Sequence, residues 1–115
     1  MLGTLKGAKD NGKVLVLRAD IDALPIEETH ECVYRSENAG VMHACGHDAH
    51  AACLLGAAKI LSENRDAFRG KVRLVFQPGE EIGKGAKPFV AAGVLEGAER
   101  VFGLHTAYDL EAGTV

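Results

Sequence analysis

Hydrophobic positions follow two rhythms along this chain. Val14-Leu15-Val16-Leu17 and Val72-Arg73-Leu74-Val75-Phe76 are short, nearly continuous apolar runs, the pattern of strands covered on both faces. Val101-Phe102-Gly103-Leu104 is a third such run. Between the first two, Ala51, Leu54, Leu55, Ala58 and Leu61 recur at helical spacing and predict a helix over about residues 48–64 with one apolar face. A shorter helix is predicted over residues 86–92, closed by Gly93. Residues 26–42 are mixed and polar and read as loop, after Pro25 stops regular structure. Thr4-Leu5-Lys6-Gly7 reads as the tail of a strand running into a turn at Asp10-Asn11-Gly12, and Gly113-Thr114-Val115 as the start of another strand. Neither end reads as a domain boundary, so the expectation is a piece of a longer protein.

Strand, helix, strand, helix, strand predicts an α/β fold. Residues 14–18, 72–76 and 100–104 are expected as parallel neighbours in one sheet, with the long helix on one face. The polar residues that could do chemistry then fall in a pattern. Asp20 and Asp22 follow the first strand, Cys45 and His47 precede the long helix, Glu80 and Glu81 follow the second strand, and His105 follows the third. All lie beyond the carboxyl ends of strands, where open α/β sheets place their ligand crevice.

Composition narrows the class. At 115 residues the chain is one domain at most; 47% hydrophobic, 25% charged and a formal net charge of -3 are ordinary for a soluble globular protein. No basic excess points to nucleic acid or an anionic membrane, and no apolar run reaches membrane-spanning length. Three cysteines without framework spacing suit a reducing, cytoplasmic compartment.

The segment Met42-His43-Ala44-Cys45-Gly46-His47-Asp48-Ala49-His50 holds three of the five histidines and one of the three cysteines. With Gln77-Pro78-Gly79-Glu80-Glu81 downstream, it assembles the thiolate, imidazole and carboxylate donors that borderline divalent metals prefer. Gly46 lets the backbone turn tightly enough for Cys45 and His47 to approach one centre. The position of Cys45 just before a helix is expected to lower its thiol pKa. Asp48 reads as a first-turn helix residue or a partner behind the ligands. His43 and His50 read chiefly as structural, with orientation of a ligand or of the water as the other role; Cys32 and Cys53 read as structural and His30 as solvated. Two adjacent carboxylates past a buried strand fit two jobs in a metallohydrolase, one binding the cation and one taking a proton from water. His105, ending an apolar strand at the same edge, reads as a further ligand. A phosphate loop, a dinucleotide fingerprint, a His-Glu-x-x-His helix and a nucleophile elbow are all missing from the sequence.

Leu17-Arg18-Ala19-Asp20-Ile21-Asp22-Ala23-Leu24-Pro25, Gly40-Val41-Met42-His43-Ala44-Cys45-Gly46-His47-Asp48, Phe76-Gln77-Pro78-Gly79-Glu80-Glu81 and Gly103-Leu104-His105 resemble the dinuclear metal-dependent amidohydrolases. That group includes hippurate hydrolases, N-acyl-amino-acid amidohydrolases, auxin–amino-acid conjugate hydrolases and N-acetyl-diaminopimelate deacetylase, within the carboxypeptidase-G-like and aminoacylase-like metallopeptidases. The resemblance implies a three-layer α/β sandwich around a mostly parallel sheet, the phosphorylase/hydrolase-like catalytic domain of zinc peptidases, present in part over residues 1–115. It implies that Cys45, His47, Glu81 and His105 are metal ligands and Glu80 the general base, with Asp20, Asp22 and Asp48 behind them. Two divalent ions (zinc, manganese or cobalt) would activate a water for hydrolysis of the amide of a small N-acylated amino acid. The lid or dimerisation domain and the later catalytic segment, which carry two further histidines, are absent here; the full-length form is expected to be a homodimer or higher oligomer through that lid. Ile82-Gly83-Lys84-Gly85 replaces a more uniformly glycine-rich stretch, a departure that bears on substrate choice. The alternative is a catalytically inactive metal-binding fragment of such an enzyme.

Overall fold

The computed structural model describes residues 1–114. Among the described residues four strands, β1 (Leu2–Lys6), β2 (Lys9–Asp20), β3 (Arg69–Gln77) and β4 (Ala98–Gly103), form one sheet in the order β1-β3-β2-β4. The long helix α1 (His47–Glu63) joins β2 to β3 and the short helix α2 (Ala86–Ala91) joins β3 to β4. β2 runs parallel to both β3 and β4, with Leu17 opposite Leu74 on one side and Phe102 on the other. The three segments expected as parallel neighbours therefore are so, with β2 at their centre.

The two helices cover opposite faces. Leu15, Leu17 and Ala19 of β2 and Val72, Leu74 and Phe76 of β3 pack under α1 through Leu54, Ala51, Ala58 and Leu61. Val14, Val16 and Val75, one residue out of step, point the other way, against Val94 and Phe89. The period of two along each strand thus feeds two cores, which is why these strands read as unbroken apolar runs. Leu54, buried at the centre of the α1 face, makes this packing testable. Leu54→Ala should lower unfolding stability by about 2–5 kcal/mol, read from a chemical denaturation midpoint. Leu55, expected on the same face, is instead 59% exposed. It sits one residue, about 100°, around the helix from Leu54, beyond the sheet's reach.

At the margins one expectation is extended and two are corrected. β1 is a full strand, antiparallel to β3 from Leu2 opposite Val75 to Lys6 opposite Lys71, so the sheet is mostly parallel. The chain passes from one side of β3 to the other at Gly7-Ala8, where Gly7 N–H donates to Gly70 O and Ala8 N–H to Arg65 O. Asp10-Asn11-Gly12 does not end a strand but lies inside β2. There the pairing slips between Lys9 and Val14, and the Asp10 and Asn11 side chains accept the N–H groups of Gly12 and Lys13. Gly113 and Thr114 belong to a turn closed by Thr114 N–H on Glu111 O rather than to a strand; Val115 lies outside the described residues.

The loop over residues 26–42 is tied down by its own carboxylates. Glu28 accepts the Ser36 N–H, and Glu27 reaches both Arg35 and the Gly40 N–H. On the α2 face, Arg73 donates to the carbonyls of Val94 and Glu96 and so holds the approach to β4. β4 ends the strand order, with Val101 and Phe102 about half exposed. Among the described residues no helix is long and apolar enough to cross a membrane.

Candidate metal centre

The carboxyl ends of β2, β3 and β4 point to one edge of the sheet, and the N-terminus of α1 opens onto the same edge. His47, the first residue of α1, is completely buried there. Its Nδ1–H donates to the Asp22 carbonyl at 3.1 Å, a carbonyl that His43 Nδ1 also meets at 3.2 Å. Its Nε2 faces a ring of carboxylate oxygens, with Asp20 Oδ2 at 3.7 Å, Glu80 Oε2 at 3.8 Å and Glu81 Oε1 at 3.8 Å. None is within hydrogen-bonding distance, and His47 Nε2 is a buried atom without a partner among the described residues, as is Asp22 Oδ1.

Cys45 enters from the turn before α1. Gly46 between Cys45 and His47 has φ 84°, and a Cβ there would lie 2.5 Å from Thr106 Oγ1. A side chain at this position would be strained and would collide with the loop after β4. The Cys45 Sγ lies 3.4 Å from His105 Nε2, and His105 Nδ1–H donates to the Thr106 carbonyl at 2.7 Å. Cys45, His47 and His105 thus form one compact donor group and His47, Glu80 and Glu81 another, sharing the buried imidazole.

Charge balance follows from these contacts. Burial pushes the Cys45 thiol up, and the Glu81, Glu80 and Asp20 carboxylates push it further. This corrects the expectation of a lowered thiol pKa: partial positive charge at the start of α1 is outweighed by burial and by three nearby negative groups. Burial alone would also raise Asp20, but the His50 hydrogen bond and the Arg18 guanidinium hold it below the ordinary carboxylate range. Burial likewise opposes ionisation of Asp22, and backbone N–H groups led by Glu81 reverse this. The Glu81 N–H donates to Asp22 Oδ2 at 3.0 Å, so Asp22 fixes both the His47 ring and the Glu80-Glu81 turn.

The family model for peptidase family M20/M25/M40 matches residues 16–115. The chain belongs to this family. It is 53% identical over 107 residues to an N-acetyl-L-cysteine deacetylase of Bacillus subtilis, covering 93% of this chain and 26% of that protein. It is 50% identical over 105 residues to an N-acyl-L-amino acid amidohydrolase of Geobacillus stearothermophilus, covering 90% of this chain and 28% of that one. A solved Bacillus subtilis structure, a dinuclear metal-binding M20 peptidase, superposes with a TM-score of 0.91 at 47% identity, over 95% of this chain and 30% of that chain. The chain therefore spans between a quarter and a third of the length of these M20 relatives, which are hydrolases.

The donor geometry suits a cation on its own terms. Two donors each about 2.0–2.3 Å from one ion stand roughly 3–4 Å apart, the separations found around His47 Nε2 and between Cys45 and His105. A buried imidazole nitrogen that faces carboxylate oxygens beyond hydrogen-bonding distance has no partner among the described residues.

The structure brings Cys45, His47, Glu80, Glu81, His105, Asp20 and Asp22 to one place. Asp48 lies exposed in the first turn of α1, apart from the hydrogen bonds just described. Three contributors, Arg18, Gln77 and Thr106, carry no role in the sequence pattern, while His50, read chiefly as structural with orientation of a ligand as its other role, is a buried member of the cluster. For His50 a signal exists, because it follows His47 by three residues and so shares its helix face.

Proposed function

We propose that this chain forms part of the catalytic domain of a metal-dependent amidohydrolase acting on N-acyl amino acids, the lid and the later catalytic segment lying elsewhere in the full-length protein. Cys45, His47, Glu81 and His105 hold two divalent ions, zinc, manganese or cobalt, and Glu80 is the general base. The orphaned His47 Nε2 among three carboxylates carries this reading. The names of the relatives, which act on N-acetyl-cysteine and N-acyl amino acids, support the substrate class.

Bound there, divalent cations supply Lewis-acid polarisation of the amide carbonyl and lower the pKa of water towards about 7. The chain's own residues do the rest. Glu80, whose side chain is the more exposed of the two, faces the space in front of His47 and takes the proton from the attacking water. It returns that proton to the amine nitrogen as the amide bond breaks, giving the acid and the free amino acid. Glu81, held through its backbone by Asp22, stays a ligand. Cys45 binds as thiolate, so metal uptake must release its proton. A reducing, cytoplasmic setting suits a ligand thiol of this kind.

The test is to strip the full-length protein with a chelator, reload it with zinc, manganese or cobalt, and measure metal content beside hydrolysis of N-acetyl- and N-benzoyl-amino acids. Two ions per chain and hydrolysis restored by metal are expected. Hydrolysis indifferent to the chelator would overturn the proposal, and two ions without hydrolysis would favour metal binding without turnover.

A further inference from the structure

His50 stands apart from the residues assigned to the metals, because both of its ring nitrogens are already engaged. Nδ1 meets Asp20 Oδ1, while Nε2 accepts the Thr106 backbone N–H at 2.8 Å, with Thr106 Oγ1 at 3.2 Å. A neutral ring protonated on Nδ1 satisfies these contacts, donating to Asp20 and accepting from Thr106. It keeps no lone pair for a cation, although it lies close enough to Asp20 and His47 to form a donor group with them. Asp20 is equally committed. Its second oxygen accepts from Arg18 Nη1 at 2.8 Å, and Arg18 Nε donates to Gln77 Oε1 at 3.1 Å.

The other end of this chain of contacts is the loop after β4. Thr106 gives its N–H to His50 while its carbonyl takes the Nδ1–H of His105. The Thr106 hydroxyl reaches the Cys45 carbonyl at 3.4 Å. The His105 ring stands edge-on to His50, with centroids 4.6 Å apart and planes at 70°. With Nδ1 committed, His105 presents Nε2 to Cys45 Sγ. Residues 104–107 are all exposed, so burial does not hold them. Among the described residues, the hydrogen bonds tying them to the rest of the protein end on His50 and Cys45.

We propose that Asp20, His50 and Thr106 form a positioning relay, anchored by Arg18 and Gln77, that orients His105 towards Cys45 and so sets metal binding at the Cys45–His105 half of the centre. This rests on the metal-centre reading above. His50 and Asp20 are positioning residues that act on the cation only through Thr106 and His105.

Cobalt(II) is the probe, because thiolate-bound cobalt has a charge-transfer absorption that imidazole and carboxylate ligands do not give. In the full-length protein, titration should show this band together with the weaker d–d bands of the carboxylate side. His50→Leu, which removes both hydrogen bonds, should weaken cobalt binding at the thiolate side about 10–100-fold and diminish the charge-transfer band, while the His47–Glu81 side still fills. His50→Gln, whose amide offers one donor and one acceptor, should recover part of the band, which bulk or stability alone would not explain. Thr106→Val, at an exposed position, removes only the hydroxyl and should shift affinity in the same direction by less; it decides the matter if His50→Leu fails to fold by circular dichroism. Unchanged band and affinity in Thr106→Val and in a folded His50→Leu would overturn the relay. Loss of both ions in folded His50→Leu and His50→Gln, matching His47→Ala, would make His50 a ligand and overturn it too. No thiolate–cobalt band in the unmodified protein would instead sink the metal-centre reading beneath it.

Discussion

Glu80→Gln should retain both metal ions and lose amide hydrolysis by about 10²–10⁴-fold, the range that a positioned proton acceptor contributes. The two adjacent glutamates differ in setting. The Glu81 side chain is the less exposed of the two, and its backbone N–H is clamped by Asp22, whereas the Glu80 side chain is 42% exposed at the mouth of the site. A carboxylate that must meet a substrate water and then the leaving amine needs access. One that holds a cation needs fixed geometry. Glu81→Gln should therefore lose metal first, with activity falling as a consequence and partly restored at high metal concentration. Metal content and turnover measured together on the full-length protein separate the two. Near-normal turnover in Glu80→Gln would remove Glu80 from the mechanism.

Gly85→Ala should dismantle the Glu80-Glu81 turn. The backbone of Gly85 has an ordinary φ of -68°, so the constraint is not conformational. A Cβ there would lie 1.8 Å from the Pro78 carbonyl oxygen and 2.9 Å from the Gln77 amide nitrogen. No rotamer relieves an overlap with backbone, so the segment over residues 78–85 must move. The same segment is closed by N–H donations from Lys84 and Gly85 to the Gly79 carbonyl, and those bonds would break with it. A stability loss at or above the upper end of the about 1–3 kcal/mol seen for overpacking is expected. Metal retention at Glu81 should fall alongside it. Wild-type stability and metal content in Gly85→Ala would show that the turn tolerates a side chain.

What could be read from residue order depended on how local its cause is. The parallel strands were legible because helices on both faces force both residue parities of β2 and β3 to be apolar. The convergence of Cys45, His47, Glu80, Glu81 and His105 was legible because each follows a strand or opens a helix, and parallel strands put those points on one edge. β1 was only half visible: it alternates rather than running apolar, and its antiparallel partner β3 is some seventy residues away. The thiol of Cys45 was misjudged because the start of α1 is a local cue, whereas its burial and the opposing carboxylates are set by the tertiary fold. Arg18, Gln77 and Thr106 carry no motif chemistry of their own. Their value arises only where β2, β3 and the loop after β4 meet α1. Gly85 gives no cue either, since it is required by a backbone oxygen seven residues earlier in the chain.

The last strand in the sheet order carries a consequence for handling the polypeptide in solution. β4 pairs with β2 along one side only among the described residues, and its Val101 and Phe102 are about half bare. Charges at Glu99 and Arg100 guard its beginning, but the stretch from Val101 to Leu104 has none. Such an edge is a template for any extended apolar peptide, a second copy of itself included. Where that edge stays uncovered, the material recovered at high concentration would be governed by strand-to-strand self-association, and colloidal behaviour rather than unfolding would limit its lifetime in the tube.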